Sequence, residues 1–415
     1  MFKQITLSIP FFVLLSLITV SCNNNSEVFT PAPEEDAAEQ IERPRETPLP
    51  PTRLTLTEAE MKNIPPSNDY IIRFFKDHYE SDADMLLSPL GFQLTLAMVG
   101  NVVKDKKSVC EMLGFGAEDM NEVNTYFRHL IEALSSDRFS DELKIANAFM
   151  TDIRAKKYPE GFLDLLKSHY HVESHEIEAQ PLFKLPIGKR PEDVWCQEKT
   201  DGIIKTAPFP ILEAHSALLN SFLFKGEWQD KFDKELTKCG LFHVSSDSSI
   251  FMSFMNKETK TNFYRGNDFT SLTLPFGDGA FDMTIILPEA IGNVPGILGH
   301  LDSESWGNIR NGFEFKETRI SIPIFSASYL MRMVFDFEFI EDVMPFSLIG
   351  QSASFTMNEE GVSAAAVTQA ITPTYSGPSG KQEIESFIAN RPFLFIISEA
   401  GSGLILFIGQ FTGQQ

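Results

Sequence analysis

Helix-like and strand-like hydrophobic patterns alternate along most of the chain. Residues 69–79 place apolar side chains three and four positions apart, as on one helix face: Ile71, Phe74, Phe75 and His78. Ser88 followed by Pro89 predicts another helix start, with a serine cap and a proline in the first turn. A third helix is predicted over residues 158–170.

Short apolar runs bounded by turn residues predict buried strands. They cover residues 143–150, 216–226, 281–288, 320–325, 391–398 and 404–411. Long helices are predicted mainly in the first half of this pattern and strands in the second. Since no internal repeat or second low-complexity break interrupts residues 56–415, the pattern predicts one α+β domain there.

The first 55 residues have a different composition. Lys3, an apolar stretch and small residues before Cys22 are typical of a signal peptide over residues 1–21. Small residues before a cysteine also resemble a bacterial lipoprotein signal, in which Cys22 becomes the lipidated first residue; ordinary secretory cleavage beside Cys22 is the alternative. Residues 22–55, rich in Pro and Glu, are predicted to be a disordered tether. Both interpretations predict export, to an outer-membrane or surface-attached position in the cell envelope or into the medium.

Charge and cysteine content narrow the function. The chain has 415 residues, 43% of them hydrophobic, and a formal net charge of −22. Such a charge repels the phosphates of nucleic acids and anionic lipids, which argues against binding either one. Beyond Cys22 there are three cysteines, an odd number that describes no disulfide framework, and their thiols are expected to be buried or unreactive: Cys110, Cys196 and Cys239.

Motifs for catalysis and cofactor binding are missing from the sequence. It has no GxSxG elbow, no phosphate-binding glycine loop and no CxxC pair, and residues 400–403 are interpreted as a hairpin turn. One cluster contains possible zinc ligands: His169, His171, Glu173 and His175. The spacing of these residues matches no HExxH helix, and a solvent-exposed surface of the protein is the simpler interpretation. The sequence therefore predicts a protein that is not an enzyme and needs no metal or cofactor.

Residues 358–380, NEEGVSAAAVTQAITPTYSGPSG, are unusual for a globular protein. From Val362 to Thr372 the side chains on both faces of an extended chain are uncharged, and most are small or β-branched. Such a strand could slide between two existing strands of a sheet, and Gly361 before it allows wide backbone freedom. An alanine-rich helix followed by a linker explains the composition equally well.

The segment NEEGVSAAAV resembles the hinge of the serpins, serine-protease inhibitors whose reactive loop inserts into their own central sheet. Further serpin-like segments occur in the family's order: LLSPLGFQLTLAM (86–98), IANAFMTD (145–152), WCQEKTDGII (195–204), LNSFLFKGEW (219–228), LTLPF (272–276), MTIILP (283–288) and FIANRPFLFIISEAGSGLILFIGQF (387–411). The resemblance implies an α+β serpin fold with three β-sheets, eight or nine helices and an exposed reactive loop.

In serpins the target protease attacks the loop and forms an acyl-enzyme. The cleaved hinge then inserts as a new central strand, carries the protease to the far end of the molecule and distorts its active site. The resemblance therefore implies a suicide-substrate inhibitor of serine proteases, with cysteine proteases left open as further targets. The small, uncharged residues that follow the two glutamates favour an inhibitory member. The hinge comprises Glu359, Glu360, Gly361, Val362, Ser363, Ala364, Ala365 and Ala366.

The family's usual spacing, counted from Glu359, puts the scissile bond between Tyr375 and Ser376. An aromatic residue there suits the deep apolar pocket of chymotrypsin-like proteases. Lys381 offers a trypsin-like alternative, and Thr374 or Ile371 would suit elastase- or subtilisin-like enzymes. The expected partner is thus a serine protease, and the inhibitor is expected to be monomeric.

Three polar residues match the region where strands of the central sheet part: Ser88, Asn220 and Gln351. Ser88 and Asn220 are expected to bond backbone across the gap, and Gln351 takes the place of a histidine common in the family. Trp228 is interpreted as structural. The alternative to inhibition is a serpin-fold binding protein or a simple protease substrate; an unrecognised hydrolase lacks a nucleophile and base, and the acidic chain offers no basic helix for glycosaminoglycans.

Overall fold

The computed structural model describes residues 5–6, 54–139, 142–155, 158–181, 184–334, 338–340, 348–363 and 384–414. Nine α-helices occur in these residues: α1 (Glu58–Met61), α2 (Ile64–Asp77), α3 (Pro89–Gly100), α4 (Lys106–Met112), α5 (Met120–Leu134), α6 (Phe162–Tyr170), α7 (Pro191–Lys199), α8 (Val294–His300) and α9 (Ser303–Asn311). A 3-10 turn covers Lys234–Leu236.

The same residues contain seventeen strands. They are β1 (Ile5–Thr6), β2 (Met85–Leu87), β3 (Leu143–Asp152), β4 (Val172–Ile177), β5 (Ser216–Phe224), β6 (Gly226–Glu227), β7 (Lys238–His243), β8 (Ser249–Arg265), β9 (Phe269–Pro275), β10 (Phe281–Pro288), β11 (Glu314–Pro323), β12 (Phe325–Val334), β13 (Leu348–Asn358), β14 (Gly361–Ser363), β15 (Glu385–Ile388), β16 (Phe393–Glu399) and β17 (Ile405–Phe411).

These strands form three sheets. The first has the order β1-β12-β13-β14-β6, and the third has the order β4-β3-β5. The second, with nine strands, runs β15-β11-β8-β9-β10-β16-β17-β2, with β7 also paired to β8. The pairs β3–β4 and β11–β15 are parallel, and the other paired strands are antiparallel. The predicted fold class, α+β with three sheets and eight or nine helices, is confirmed.

The predicted helices form where hydrophobic spacing and local start signals agree. In α2 the apolar face includes Ile71, Phe74 and Phe75, all buried. Helix α3 begins with Pro89, whose fixed φ suits a first turn, and all twelve of its residues are buried. Hydrophobic on every side, α3 therefore lies inside the molecule, as such helices must.

The predicted strands are also found, with one correction. The run over residues 320–325 is not a single strand, because β11 ends at Pro323 and β12 begins at Phe325. Ile324 between them donates its backbone N–H to the Ser253 carbonyl (2.8 Å). The chain passes here from the second sheet to the first, and a local apolar run carries no signal for that change.

One large hydrophobic cluster joins the helices to the sheets. It runs from α2, α3 and α5 to the fully buried strands β16 and β17. A smaller cluster lies between α7 and the β3–β5 pair and contains Trp195 and Cys196. Leu54, two residues before the predicted domain boundary, is already buried. Among the helices described, none is long and apolar enough to cross a bilayer.

Candidate functional site

The predicted hinge begins at a tight turn between two antiparallel strands. β13 ends at Asn358, Glu359 and Glu360 form the turn, and β14 starts at Gly361. The Asn358 side-chain oxygen accepts hydrogen bonds from the backbone N–H groups of Glu360 (2.9 Å) and Gly361 (3.3 Å). Asparagine commonly fixes turns in this way, so the residue before the two glutamates sets the path of the chain into β14.

Gly361 allows β14 to approach β6 closely. Its φ is +148°, a backbone conformation that side chains disfavour. A Cβ atom at this position would lie 2.0 Å from the backbone oxygen of Gly226 and 2.7 Å from the Cα of Glu227. Gly361 and Val362 pair with Glu227 and Gly226 of β6. A residue with a side chain at position 361 would therefore disturb this pairing.

Val362 points into the interior at the top of a gap between two sheets. It is 1% exposed and borders a cavity of about 10 Å³, roughly the space for one water centre. The cavity is lined mainly by large apolar side chains: Leu86, Phe222, Phe224, Ser354, Phe355, Val362, Ile397 and Phe407. A charged side chain at position 362 would have no oppositely charged partner among these residues.

The gap separates β5 from β13. Within the described chain β5 pairs along one edge only, with β3, and β13 pairs with β12 and with the three residues of β14. Further down the gap the side chains leave no space for a water molecule; the residues there are Gly91, Phe92, Thr95, Asn220, Gly350 and Gln351. Among the described strands, the first and third sheets are therefore parted along a line that β14 alone enters.

Gln351 bridges β13 to the start of α3. Its side-chain oxygen accepts from the Ser88 backbone N–H (2.9 Å), and its Nε2 donates to the Ser88 carbonyl (2.7 Å). The Ser88 side chain does not cap α3, because its buried hydroxyl has no hydrogen-bond partner in the described chain. The expected contact between this serine and the central sheet exists, but the glutamine supplies both hydrogen bonds.

Asn220 lies beside the same gap but bonds within its own sheet. Its Nδ2 donates to the Asn147 side-chain oxygen (2.7 Å), and Asn147 in turn donates to the Tyr170 carbonyl (2.8 Å). The expected backbone bond across the gap is therefore wrong for Asn220, because the neighbouring strand β3 provides a partner at closer range. Asn220 and Gln351 both lie close to Gly91 of α3.

Residues 226–237, here called the collar, hold the hinge turn from outside. Trp228 donates its backbone N–H to the Glu360 carbonyl (2.8 Å) and its indole N–H to the Asn358 carbonyl (2.8 Å). The Phe232 N–H donates to the Glu359 carbonyl (3.0 Å). Trp228, interpreted from the sequence as structural, thus contacts the hinge turn directly, and the sequence interpretation did not include this contact.

Two collar lysines neutralise one of the hinge glutamates. Lys231 Nζ and Lys234 Nζ each lie 3.0 Å from a different carboxylate oxygen of Glu360. Burial alone would raise the pKa of Glu360, but the hydrogen bonds from Lys234 and Lys231 outweigh it and hold that pKa below its ordinary value. The Glu359 carboxylate accepts from the Thr237 hydroxyl (2.7 Å). No sequence pattern had marked Lys231 and Lys234 as partners of Glu360.

Several predicted site residues lie outside the described residues. They are Cys22, Ala364, Ala365, Ala366, Ile371, Thr374, Tyr375, Ser376 and Lys381. The assignments of the lipidation site, the rest of the hinge and the scissile bond therefore stay predictions, as do the roles of the hinge residues that are described.

The histidine-rich segment straddles the end of a helix. His169 belongs to α6, His171 follows it, and Glu173 and His175 lie in β4. Glu173 accepts hydrogen bonds from Trp195 (3.1 Å) and Lys199 (2.5 Å). No group of three or more possible metal ligands gathers within the residues that were described.

The three cysteines differ in exposure. Cys110 and Cys196 are buried, and burial raises the pKa of both thiols, that of Cys196 to about 12. Cys239 is exposed on β7, so of the two expectations, burial or low reactivity, only low reactivity stays a prediction for this residue. Its strand pairs only with β8 among the described strands, which leaves it at an edge.

Comparisons with known proteins give one consistent result. The family model described as Serpin (serine protease inhibitor) matches residues 66–413. The chain is similar to Serpin-Z4 of Hordeum vulgare, with 26% identity over 361 residues, 79% of this chain and 90% of that one.

Among solved structures the chain is similar to the thermophilic serpin Tengpin in its native state, with a TM-score of 0.72, 20% identity, and coverage of 87% of this chain and 97% of that one. It is also similar to human thyroxine-binding globulin, with a TM-score of 0.70, 19% identity, and coverage of 85% and 98%.

Proposed function

This chain belongs to the serpin family, and we propose that it inhibits serine-type endopeptidases as a suicide substrate. The protease cleaves the reactive loop, the hinge inserts between β5 and β13, and the acyl-enzyme is trapped before it hydrolyses. This proposal treats the native chain as a kinetically trapped state that insertion releases.

The observation that carries the proposal is the parted sheet with β14 at its top. Small, uncharged residues follow β14 in the sequence, from Ala364 to Thr372. If β14 lengthens in its present register with β13, Thr368 comes opposite Gln351. If it lengthens in its present register with β6, toward β5, Thr368 comes opposite Asn220. Both neighbouring strands thus accept the same register, which supports insertion of the hinge as one continuous strand.

The finer proposal concerns the target. Cleavage between Tyr375 and Ser376 favours a chymotrypsin-like protease, and Thr374, Ile371 and Lys381 remain alternative sites for elastase-, subtilisin- or trypsin-like enzymes. The inhibitor acts as a monomer without cofactor, since one chain carries both the hinge and the sheet that receives it.

The test is to mix the purified protein with chymotrypsin-, trypsin- and elastase-like proteases. Denaturing gels detect the covalent complex, and mass spectrometry identifies the released peptide. A denaturant-stable complex with a peptide beginning at Ser376 supports both proposals. A complex with a different released peptide would place the scissile bond elsewhere in the loop. Cleavage of the loop that yields neither a complex nor a more stable protein would contradict inhibition.

A non-inhibitory binding protein is the second candidate. The fold alone does not separate the two functions, because it is shared with thyroxine-binding globulin. Such a protein would be cleaved as an ordinary substrate, and its melting temperature would not rise after cleavage.

We further propose that residues 1–21 direct export and that Cys22 carries a lipid anchor, with residues 22–55 as a tether. Mass spectrometry of the mature N-terminus tests this arrangement. Cys22→Ser should release the protein from membranes if the anchor exists, and an unmodified N-terminus would contradict it.

A further inference from the structure

We propose that Lys231 and Lys234, acting through Glu360, fix the point from which the hinge enters the sheet and thereby set how often loop cleavage ends in trapping. The inference rests on the proposed inhibitory function and adds two positioning residues to it. The alternative fate of each cleavage is hydrolysis of the acyl-enzyme and release of active protease.

The first support is the number of contacts that converge on the turn. Its carbonyls at Asn358, Glu359 and Glu360 all accept hydrogen bonds from the collar, between 2.8 and 3.0 Å. Both oxygens of the Glu360 carboxylate are engaged, one by each lysine. The turn is therefore held by its backbone and by a charged side chain at the same time.

The second support is that the collar is fixed to parts of the second sheet. The Trp228 ring stacks on Phe276, with 4.5 Å between ring centroids. The Lys257 Nζ of β8 lies 4.4 Å above the centre of the Phe232 ring and 3.2 Å from the Asp230 carboxylate. Through these contacts the turn is positioned relative to β8, which pairs with β11 on one side and with β9 on the other.

A fixed turn matters because insertion must begin in one register. Gly361 and Val362 already pair with β6 on one side and with β13 on the other. A slip of one residue would turn every following side chain to the opposite face of the sheet. If the turn moves, correct insertion is delayed, and the acyl-enzyme has more time to hydrolyse. Loss of the ion pairs should therefore shift cleavage events from trapping to release.

The ion pairs are accessible enough for salt to weaken them. The side chains of Lys231 and Lys234 are 36% and 46% exposed, whereas that of Glu360 is 18% exposed. Exposed charges are screened by salt within a Debye length of about 10 Å at 0.1 M. Because the two lysines hold the pKa of Glu360 below its ordinary value, the carboxylate stays ionised throughout the neutral range, and its contribution is lost only in acid.

The experiment compares K231Q/K234Q with wild type in the number of inhibitor molecules consumed per protease inactivated. We expect this number to rise about threefold at low salt, the size of effect typical of partly exposed ion pairs. K231Q/K234Q also removes the ion pair between Lys231 and Glu227 (2.8 Å), for which E227Q is the control. The second control, K104Q/K107Q, removes two surface ion pairs, to Glu338 and Glu118, and both controls should behave like wild type. K231R/K234R should restore trapping, and E360Q should add nothing in the K231Q/K234Q background.

A salt series separates positioning from a general loss of stability. In wild type the number of inhibitor molecules consumed should rise with NaCl concentration, whereas in K231Q/K234Q it should stay constant. Equal trapping by both proteins, or an equal salt response, would overturn the inference and leave the inhibitory function standing. If wild type itself forms no complex and gains no thermal stability after cleavage, the proposed function fails instead.

Discussion

Two hairpins of this molecule, β13–β14 and β16–β17, have similar topology but opposite surroundings. All fourteen residues of β16 and β17 are buried, and the hairpin lies between β10 and β2. β14 has three residues and lies beside a cavity of about 10 Å³. The comparison shows that two hairpins of the same topology can differ in how far their strands are paired and packed on both sides.

Side-chain size explains much of the difference. β16 and β17 carry Leu, Ile and Phe, with Phe393 and Phe411 packed at a ring distance of 5.6 Å. After β14 the residues up to the predicted scissile bond, 364–375, include four alanines and three threonines, and none of them is charged. Large side chains fix a strand by dispersion and burial, whereas small ones can enter a sheet that is already packed.

The largest effect is expected from a substitution at Val362, in the predicted hinge. Val362→Glu would bury an unpaired charge in an apolar cavity, at a cost of about 3–5 kcal/mol. We expect the protein to fold, because β14 is short, but trapping should fall by more than about a hundredfold. Complex formation on gels measures this loss, and Val362→Thr is the control. Normal trapping by the glutamate variant would contradict the role of this position.

A comparable change in the other hairpin should affect stability without affecting trapping. Ile396 is fully buried in β16, and Ile396→Ala should lower the free energy of unfolding by about 2–5 kcal/mol. Denaturant unfolding measures the loss, with the smaller Ile396→Val as control. A changed ratio of trapping to release would show that the two hairpins are coupled.

A pH experiment compares the two hairpins through two carboxylates whose pKa values are shifted in opposite directions. Burial raises the pKa of Asp282, which accepts from Ser398 of β16 (2.7 Å), to about 6. The folded protein therefore holds this proton more tightly than the unfolded chain, and the associated stability falls as pH rises from about 4 to above 6.

Asp282→Asn should remove this pH dependence, on the order of 2 kcal/mol between pH 4 and 7. Glu360 at the hinge turn, with its lowered pKa, should act in the opposite direction, because its contribution is complete at neutral pH and decreases as the pH falls through the ordinary range of a glutamate. Unfolding curves at several pH values test both statements. An unchanged slope in Asp282→Asn would mean that this carboxyl does not titrate there.

The smallest expected effect concerns the bridge beside the gap. Gln351→Leu removes both hydrogen bonds to Ser88, whose backbone groups are buried. We expect a loss of about 1–2 kcal/mol in unfolding free energy, measured against the neighbouring control Ser352→Ala. Equal stabilities would show that water replaces the glutamine at this site.

Much of this molecule could be predicted from local patterns. Apolar spacing identified α2, Pro89 marked the start of α3, and continuous apolar runs identified β16 and β17. The ordered motifs led to the correct family and fold. The hinge stays a prediction that rests on its small residues and on Gly361. The structure adds a second reason for a glycine at position 361, because the backbone there lies against that of Gly226.

Contacts between segments that are distant in the sequence could not be predicted from local patterns. The sequence alone determined where several helices and strands form, because periodicity and turn chemistry act over a few residues. Only the tertiary structure decided that Gln351 bonds to Ser88, that Asn220 bonds to Asn147 and that Glu360 meets Lys231 and Lys234. Those pairings depend on how whole elements pack, and side chains of the same chemistry could have been satisfied by nearer partners or by water.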